Sequence, residues 1–180
     1  MEEGHECIAV NKSESGFYYE RFEEMKTLIL YATKYGATKE IAGRIAARIP
    51  GSTVCDLKSS SIPSVSQFDC IILGSSLYVG KIRKEAKVFI TRNTEALSEK
   101  KIGLFLSGLE PEHTKEFFAN NFPEILFQNA KATAFLGGIY NPQKGSAFDK
   151  FLLKAAKKPA GSMNTVSDEE ITRFAEEMTV

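Results

Sequence analysis

Residues 28–45 read Leu28-Ile29-Leu30-Tyr31-Ala32-Thr33-Lys34-Tyr35-Gly36-Ala37-Thr38-Lys39-Glu40-Ile41-Ala42-Gly43-Arg44-Ile45, and this stretch decides the fold. It begins as an apolar run, Leu28 to Tyr31, with the length of a strand buried on both faces. A loop follows from Thr33 to Thr38, bearing hydroxyls and one glycine. Then Ile41, Ile45 and Ile49 recur four apart with Ala42 and Ala46 beside them, the rhythm of a helix with one apolar stripe. This order sets a helix N-terminus at the carboxyl end of a strand. The first-turn amides there lack intrahelical acceptors and the helix dipole favours negative charge, so the loop is suited to an anion. Thr33 and Thr38 add hydroxyl donors, and Gly36 lets the backbone approach closely. The spacing is neither Gly-x-x-x-x-Gly-Lys-Ser/Thr nor Gly-x-Gly-x-x-Gly, which excludes the two common phosphate loops.

Working outward, a chain of 180 residues is the size of one domain. No apolar run approaches the roughly 20 residues of a membrane span, and the first 24 residues lack the apolar core of a signal peptide. Cys7, Cys55 and Cys70 show no metal-ligand spacing, and His5 and His113 are far apart. Cys55 and Cys70 lie in apolar runs, so buried reduced thiols and a cytoplasmic location are expected. Equal numbers of acidic and basic residues hide an asymmetry: seven glutamates fall in residues 1–24, leaving 25–180 with 21 basic and 16 acidic residues. That basic body suits an anionic small molecule, an acidic partner or an anionic membrane surface. Plain solubility accounts for it nearly as well. No nucleic-acid partner is expected.

Residues 1–24 have no sustained period and read as a poorly ordered acidic N-terminal extension, with the folded domain at 25–180. After the first helix, Pro50-Gly51 is a stop signal. Further strands are expected at Ser52–Leu57, Asp69–Ser75, Lys101–Ser107 and Lys131–Gly138. Helices are expected at 81–94, at 112–127 with an interruption at Pro123, and at 167–178, the last opened by a capping box of Ser167 and Glu170. Strands alternating with helices imply an α/β fold with a parallel sheet and right-handed crossovers.

The opening stretch resembles the flavodoxin signature at every fixed position: Ile29, Leu30, Tyr31, Thr33, Gly36, Thr38, Ala42 and Ile45. The resemblance implies a flavodoxin-like three-layer sandwich, a five-stranded parallel sheet in the order 2-1-3-4-5, and FMN as cofactor. Its 5′-phosphate would lie in the loop Thr33, Lys34, Tyr35, Gly36, Ala37 and Thr38. Ligands of such sheets lie at the switch in strand order, so the loops after strands 3 and 4 complete the site. The first supplies Ser75, Ser76, Leu77, Tyr78, Val79 and Gly80, with Tyr78 the candidate to stack on the flavin ring. The second supplies Ser107, Gly108 and Leu109. With the flavin carrying the chemistry, no catalytic dyad is required, and none is found. His113 is a candidate proton donor, against the plainer reading of a solvated loop histidine.

Other segments resemble the menaquinone-dependent protoporphyrinogen IX dehydrogenase branch of flavodoxins. They are Gly74-Ser75-Ser76-Leu77-Tyr78-Val79-Gly80, Gly137-Gly138-x-Tyr140-x-Pro142 and Phe148-Asp149-Lys150-Phe151-Leu152-Leu153-Lys154. That branch oxidises protoporphyrinogen IX in haem biosynthesis and passes electrons to a membrane quinone, so the resemblance implies an anionic porphyrin substrate. Lys81 and Arg83 sit beside the second loop. Residues Ser146 to Lys158 place Phe148, Phe151, Leu152, Ala155 and Ala156 on one helical face and Lys150, Lys154, Lys157 and Lys158 opposite. Such a helix fits peripheral contact with an anionic membrane. A core helix with a lysine-rich solvent face fits equally. Two rival functions stay open: a flavodoxin-type single-electron carrier with redox-protein partners, and a binding module without redox work.

Overall fold

The computed structural model describes residues 8–9, 25–143 and 161–180. The strands are β1 (Ile8–Ala9), β2 (Thr27–Ala32), β3 (Thr53–Asp56), β4 (Cys70–Tyr78), β5 (Lys81–Ile82), β6 (Lys101–Ser107), β7 (Ala132–Phe135), β8 (Ile139–Tyr140) and β9 (Met163–Asn164). The helices are α1 (Ala37–Arg48), α2 (Lys84–Ser98), α3 (Thr114–Asn121), α4 (Glu124–Gln128) and α5 (Asp168–Thr179). Successive side chains of a strand point to opposite faces. Leu28 and Leu30 therefore join Ile71, Leu73, Ile102 and Leu104 on one side of the sheet, under Ala86, Ile90, Leu97, Phe118 and Leu126 from α2, α3 and α4. Ile29, Ile72 and Phe105 face the other side, under Ile41 and Ile45 of α1 and Ile171, Phe174 and Met178 of α5.

The sheet runs β1-β3-β2-β4-β6-β7. Its five inner-path strands β3, β2, β4, β6 and β7 are all parallel, the order 2-1-3-4-5 expected from the sequence. Chain direction across the sheet reverses between β2 and β4, so the loops after these strands part and leave a crevice.

At the far edge, Ile8 and Ala9 of the N-terminal extension pair antiparallel with Val54 and Thr53. This addition brings a further segment of chain alongside β3, where Cys55 is disulfide-bonded, its partner lying outside the described residues. The expectation of two reduced thiols is therefore corrected to one: Cys70 is free and buried, and burial pushes its thiol up to about 11. The basic segment from Ser146 to Lys158 lies outside the described residues. No helix among the described residues is long and apolar enough to cross a membrane.

Two boundaries differ from the sequence reading. Residues 81–82 do not open the second helix; they fold back on β4, with Tyr78 opposite Lys81 and Leu77 opposite Ile82. Val79 and Gly80 form the turn, both at positive φ, 51° and 70°, as a two-residue hairpin of this hand requires. The interruption expected at Pro123 is present: Pro123 lacks an amide and holds Phe122 extended, so α3 and α4 are separate. The fifth strand stops at Phe135. Gly137, at φ 79°, turns the chain out of the sheet, and β8 then pairs antiparallel with β9. The terminal helix begins as expected, with Ser167 Oγ accepting from the Glu170 amide at 3.2 Å.

Candidate functional site

The loops after β2, β4 and β6 surround a cavity of about 380 Å³, within the usual range for small-molecule sites. The first loop contributes Thr33, Lys34, Tyr35 and Ala37, the second Ser76, Leu77, Tyr78, Val79 and Gly80, and the third Ser107, Gly108 and Leu109. Gly36 faces a smaller adjoining hollow with Glu40 and Asn141. Thr38 and Ser75 do not line the cavity.

The first loop is shaped by its own hydroxyl. The Gly36 amide donates to Thr33 Oγ1 at 2.9 Å, and Gly36, at φ 97°, turns the chain into α1. No side chain caps α1. The amides of Ala37, Thr38 and Lys39 thus have no acceptor within the helix and stand at its positive end. Thr38 is fully buried and its hydroxyl has no partner, and the buried hydroxyl of Ser76 has none either. Buried polar groups are nearly always paired, so an orphan in the first turn of α1 and another in the cavity lining mark donors that a ligand could satisfy.

Ser75 was expected among the ligand-binding residues, but its hydroxyl is already committed. It accepts from the Arg83 amide at 2.9 Å and donates to the Ser76 carbonyl at 3.2 Å, tying the start of α2 to the end of β4. Lys81 and Arg83 also stand off the cavity; Arg83 faces Glu85 at 3.9 Å. His113 is exposed, beside Glu116 and against the edge of Phe117, and is not a cavity residue.

The aromatic lining is Tyr35, Tyr78, Phe117 and Tyr140. Lys34 reaches from the first loop to the second: its Nζ lies 3.5 Å from the centre of the Tyr78 ring and 4.8 Å from that of Tyr35. One face of Tyr78 thus carries an ammonium. The hairpin rim is held by Asn121 of α3, whose Oδ1 accepts from the Ile82 amide at 3.0 Å and whose Nδ2 donates to the Gly80 carbonyl at 2.9 Å. Val79 is 65% exposed at this rim. Below the cavity, burial first and then Asp56 push the Tyr31 hydroxyl up to about 12, so it stays protonated.

Five lining residues were absent from the sequence-derived set: Glu110, Phe117, Gly138, Ile139 and Tyr140. Gly137-Gly138 after the fifth strand was the available signal for three of them, since a glycine pair there marks a close backbone approach. The Gly108 amide donates to the Gly137 carbonyl at 3.0 Å, and a Cβ on Gly138 would lie 2.7 Å from the Gly108 carbonyl oxygen. Phe117, on a helix behind the rim, gave no signal. An uncapped helix start beside a cavity with aromatic lining fits a phosphate-bearing flat cofactor.

Residues 28–167 match the model of the flavodoxin domain. Protoporphyrinogen IX dehydrogenase (quinone) of Escherichia coli strain K12 is 22% identical, over 86% of this chain and 94% of that protein. Among solved structures, the Streptococcus pneumonia TIGR4 flavodoxin superposes with a TM-score of 0.50 at 17% identity, over 85% of this chain and 97% of that one. An oxidoreductase from Corynebacterium diphtheriae gives 0.51 at 13% identity, over 87% and 96%. At these identities the solved structures speak for the fold alone. The match of the family model over most of the domain places the chain in the flavodoxin domain family.

Proposed function

We propose that this protein is an FMN-dependent oxidoreductase that oxidises protoporphyrinogen IX, or a close anionic relative, and passes the electrons to a quinone. The observation that carries the cofactor is an uncapped α1 start beside a cavity lined by Ala37, by Ser76 with its buried, unpartnered hydroxyl, and by the aromatic rings of Tyr35, Tyr78, Phe117 and Tyr140. The finer reaction is supported by the E. coli dehydrogenase similar to the chain over most of both lengths, and by the basic balance of residues 25–180.

When bound, FMN supplies the redox chemistry by accepting and releasing electrons. The chain's own residues position, exclude and balance charge. The amides of Ala37, Thr38 and Lys39, with the Thr38 and Ser76 hydroxyls, would hold the phosphate. Tyr78, Phe117 and Tyr140 exclude water from the ring end, and the backbones of Gly108 and Gly138 close the side wall. Exposed Val79 offers an apolar contact to the second reactant at the mouth. The lysine-rich sequence of 146–158 would bring the protein to the anionic membrane surface where a quinone resides.

The test is an anaerobic assay of FMN-loaded protein with protoporphyrinogen IX and a menaquinone analogue. Porphyrin fluorescence rising above the autoxidation rate is the expected result. Absence of that rise, with fast reduction by a flavodoxin reductase, would reassign the protein to single-electron carriage. Failure to take up FMN at all would remove the cofactor assignment itself.

A further inference from the structure

Val79 occupies the left-handed region at φ 51°, in the turn between Tyr78 and Lys81. A β-branched residue is a genuine outlier there, and such strain persists only where the surroundings over-determine the backbone. Packing of the valine does not hold it, since Val79 is 65% exposed. The hairpin around it has two residue pairs, Leu77 with Ile82 and Tyr78 with Lys81, which is marginal by itself. The remaining hold comes from one side chain of α3. Asn121 Oδ1 accepts from the Ile82 amide at 3.0 Å, and Nδ2 donates to the Gly80 carbonyl at 2.9 Å and to the Phe117 carbonyl at 2.8 Å. These bonds occupy the amide oxygen and both donor hydrogens. The helix that presents Asn121 is firmly mounted: Phe118 is buried, its ring stacked at 5.6 Å on those of Phe122 and Phe127.

We propose that Asn121 is a positioning residue of the cofactor site: it keeps the turn after β4 in its strained form, and so keeps Tyr78, Val79 and Gly80 at the cavity wall. The inference rests on the FMN reading above. Those three residues line the cavity, and so does Phe117, one helical turn before Asn121; Asn121 itself does not. The turn and α3 also touch, because a Cβ on Gly80 would lie 3.6 Å from Cε1 of Phe117. One side chain thus joins two parts of the wall that stand 41 positions apart in sequence. Without its bonds Val79 relaxes toward negative φ, and the turn leaves the wall for part of the time. Apparent affinity then falls by the fraction of time for which the wall is incomplete.

A double-mutant cycle tests this, because glycine adopts φ 51° without strain and needs no side chain to hold it there. FMN dissociation constants would be measured by flavin fluorescence quenching for wild type, Asn121→Ala, Val79→Gly and the double variant. Asn121→Ala is expected to weaken FMN about tenfold beside Val79, and less than about twofold in the Val79→Gly background. A residue that served only the stability of α3 would give the same loss in both backgrounds, and that result would overturn the proposal, as would no loss in either. Hydrogen exchange in the FMN-free protein reads the same hold without a cofactor. The Ile82 amide is expected to exchange faster in Asn121→Ala while the Leu30 amide of β2 is unchanged. Unchanged exchange at Ile82, or an equal rise at Leu30, would also overturn it. Wild-type protein that binds no FMN would overturn the cofactor reading instead, and the Ile82 exchange would still decide whether Asn121 holds the turn.

Discussion

Replacing Gly138 by alanine tests the cavity wall and its ligand together. The new Cβ would lie 2.7 Å from the Gly108 carbonyl oxygen, 2.9 Å from its carbon and 3.2 Å from its Cα, where ordinary contact begins at 3.4 Å. The obstacle is backbone, which has no rotamer to escape into, so the two loops must separate by about 0.7 Å. Gly108 is pinned by its 3.0 Å bond to Gly137. Gly138 is pinned by its 3.0 Å bond to Thr165 Oγ1 and by the Thr165 amide donating to its carbonyl at 2.9 Å. A shift of that size carries the first of these bonds out of hydrogen-bonding range. Overpacking of this kind costs about 1–3 kcal/mol and a lost hydrogen bond about 1 kcal/mol, so a loss of about 2–4 kcal/mol is expected. For a chain of this size that lowers Tm by about 4–16 °C. If about 1.4 kcal/mol of the strain is relieved only when the wall moves off its ligand-bound position, FMN affinity falls about tenfold. Thermal denaturation followed by circular dichroism reads the first effect, and quenching of flavin fluorescence reads the second. A lowered Tm with unchanged FMN affinity would show that Gly108 and Gly138 do not border the flavin. An unchanged Tm would refute the close approach itself.

Thr38→Val is expected to act in opposite directions on the two forms. Removing an unpartnered buried hydroxyl should stabilise the cofactor-free protein by about 1–3 kcal/mol, while FMN retention on gel filtration falls. The fold is also expected to weaken in alkali. Burial raises Cys70 from 9.0 to about 11 and Tyr31 from 10.0 to about 12, so the unfolded chain releases these protons first; the stability they confer is whole below about pH 9 and is lost as pH rises toward 12. Urea midpoints measured from pH 8 to 11 should show the decline in wild type and a shallower one in Tyr31→Phe.

The parallel sheet and the first loop were legible because local signals and burial agree there. Leu28 to Tyr31 is apolar throughout because both faces are covered, and the period of Ile41, Ile45 and Ile49 matches the side of α1 that packs on the sheet. The hairpin at Tyr78–Ile82 was not legible, because its turn breaks the usual rule. A two-residue turn of this kind favours Asn-Gly, and Val79 at φ 51° gives no such cue. What holds it is Asn121, some 40 positions away in sequence, where no local pattern reaches. The structural role of the Ser75 hydroxyl was hidden for a related reason: its bond to the Arg83 amide lies eight positions on, beyond any local pattern. The disulfide of Cys55 was hidden by the same apolar run that made a buried thiol the natural expectation.

The first loop answers two different demands, and separating them explains its composition. Phosphate needs donors fixed by the backbone, and the uncapped start of α1 with the Thr38 hydroxyl provides them without any lysine. The side chain of Lys34, at the loop's second position, meets Tyr78 from the loop after β4. The contact links the loops after β2 and β4, the pair that part at the switch in strand order. The phosphate donors and the Lys34 ammonium are thus different atoms of the same six residues. A substitution at Thr38 should therefore weaken FMN binding directly, and one at Lys34 should act instead by loosening the contact between the two loops. Two variants that weakened FMN equally, with no loss of stability in the Lys34 variant, would show a single, undivided site, and the assignment of separate roles within the loop would fall.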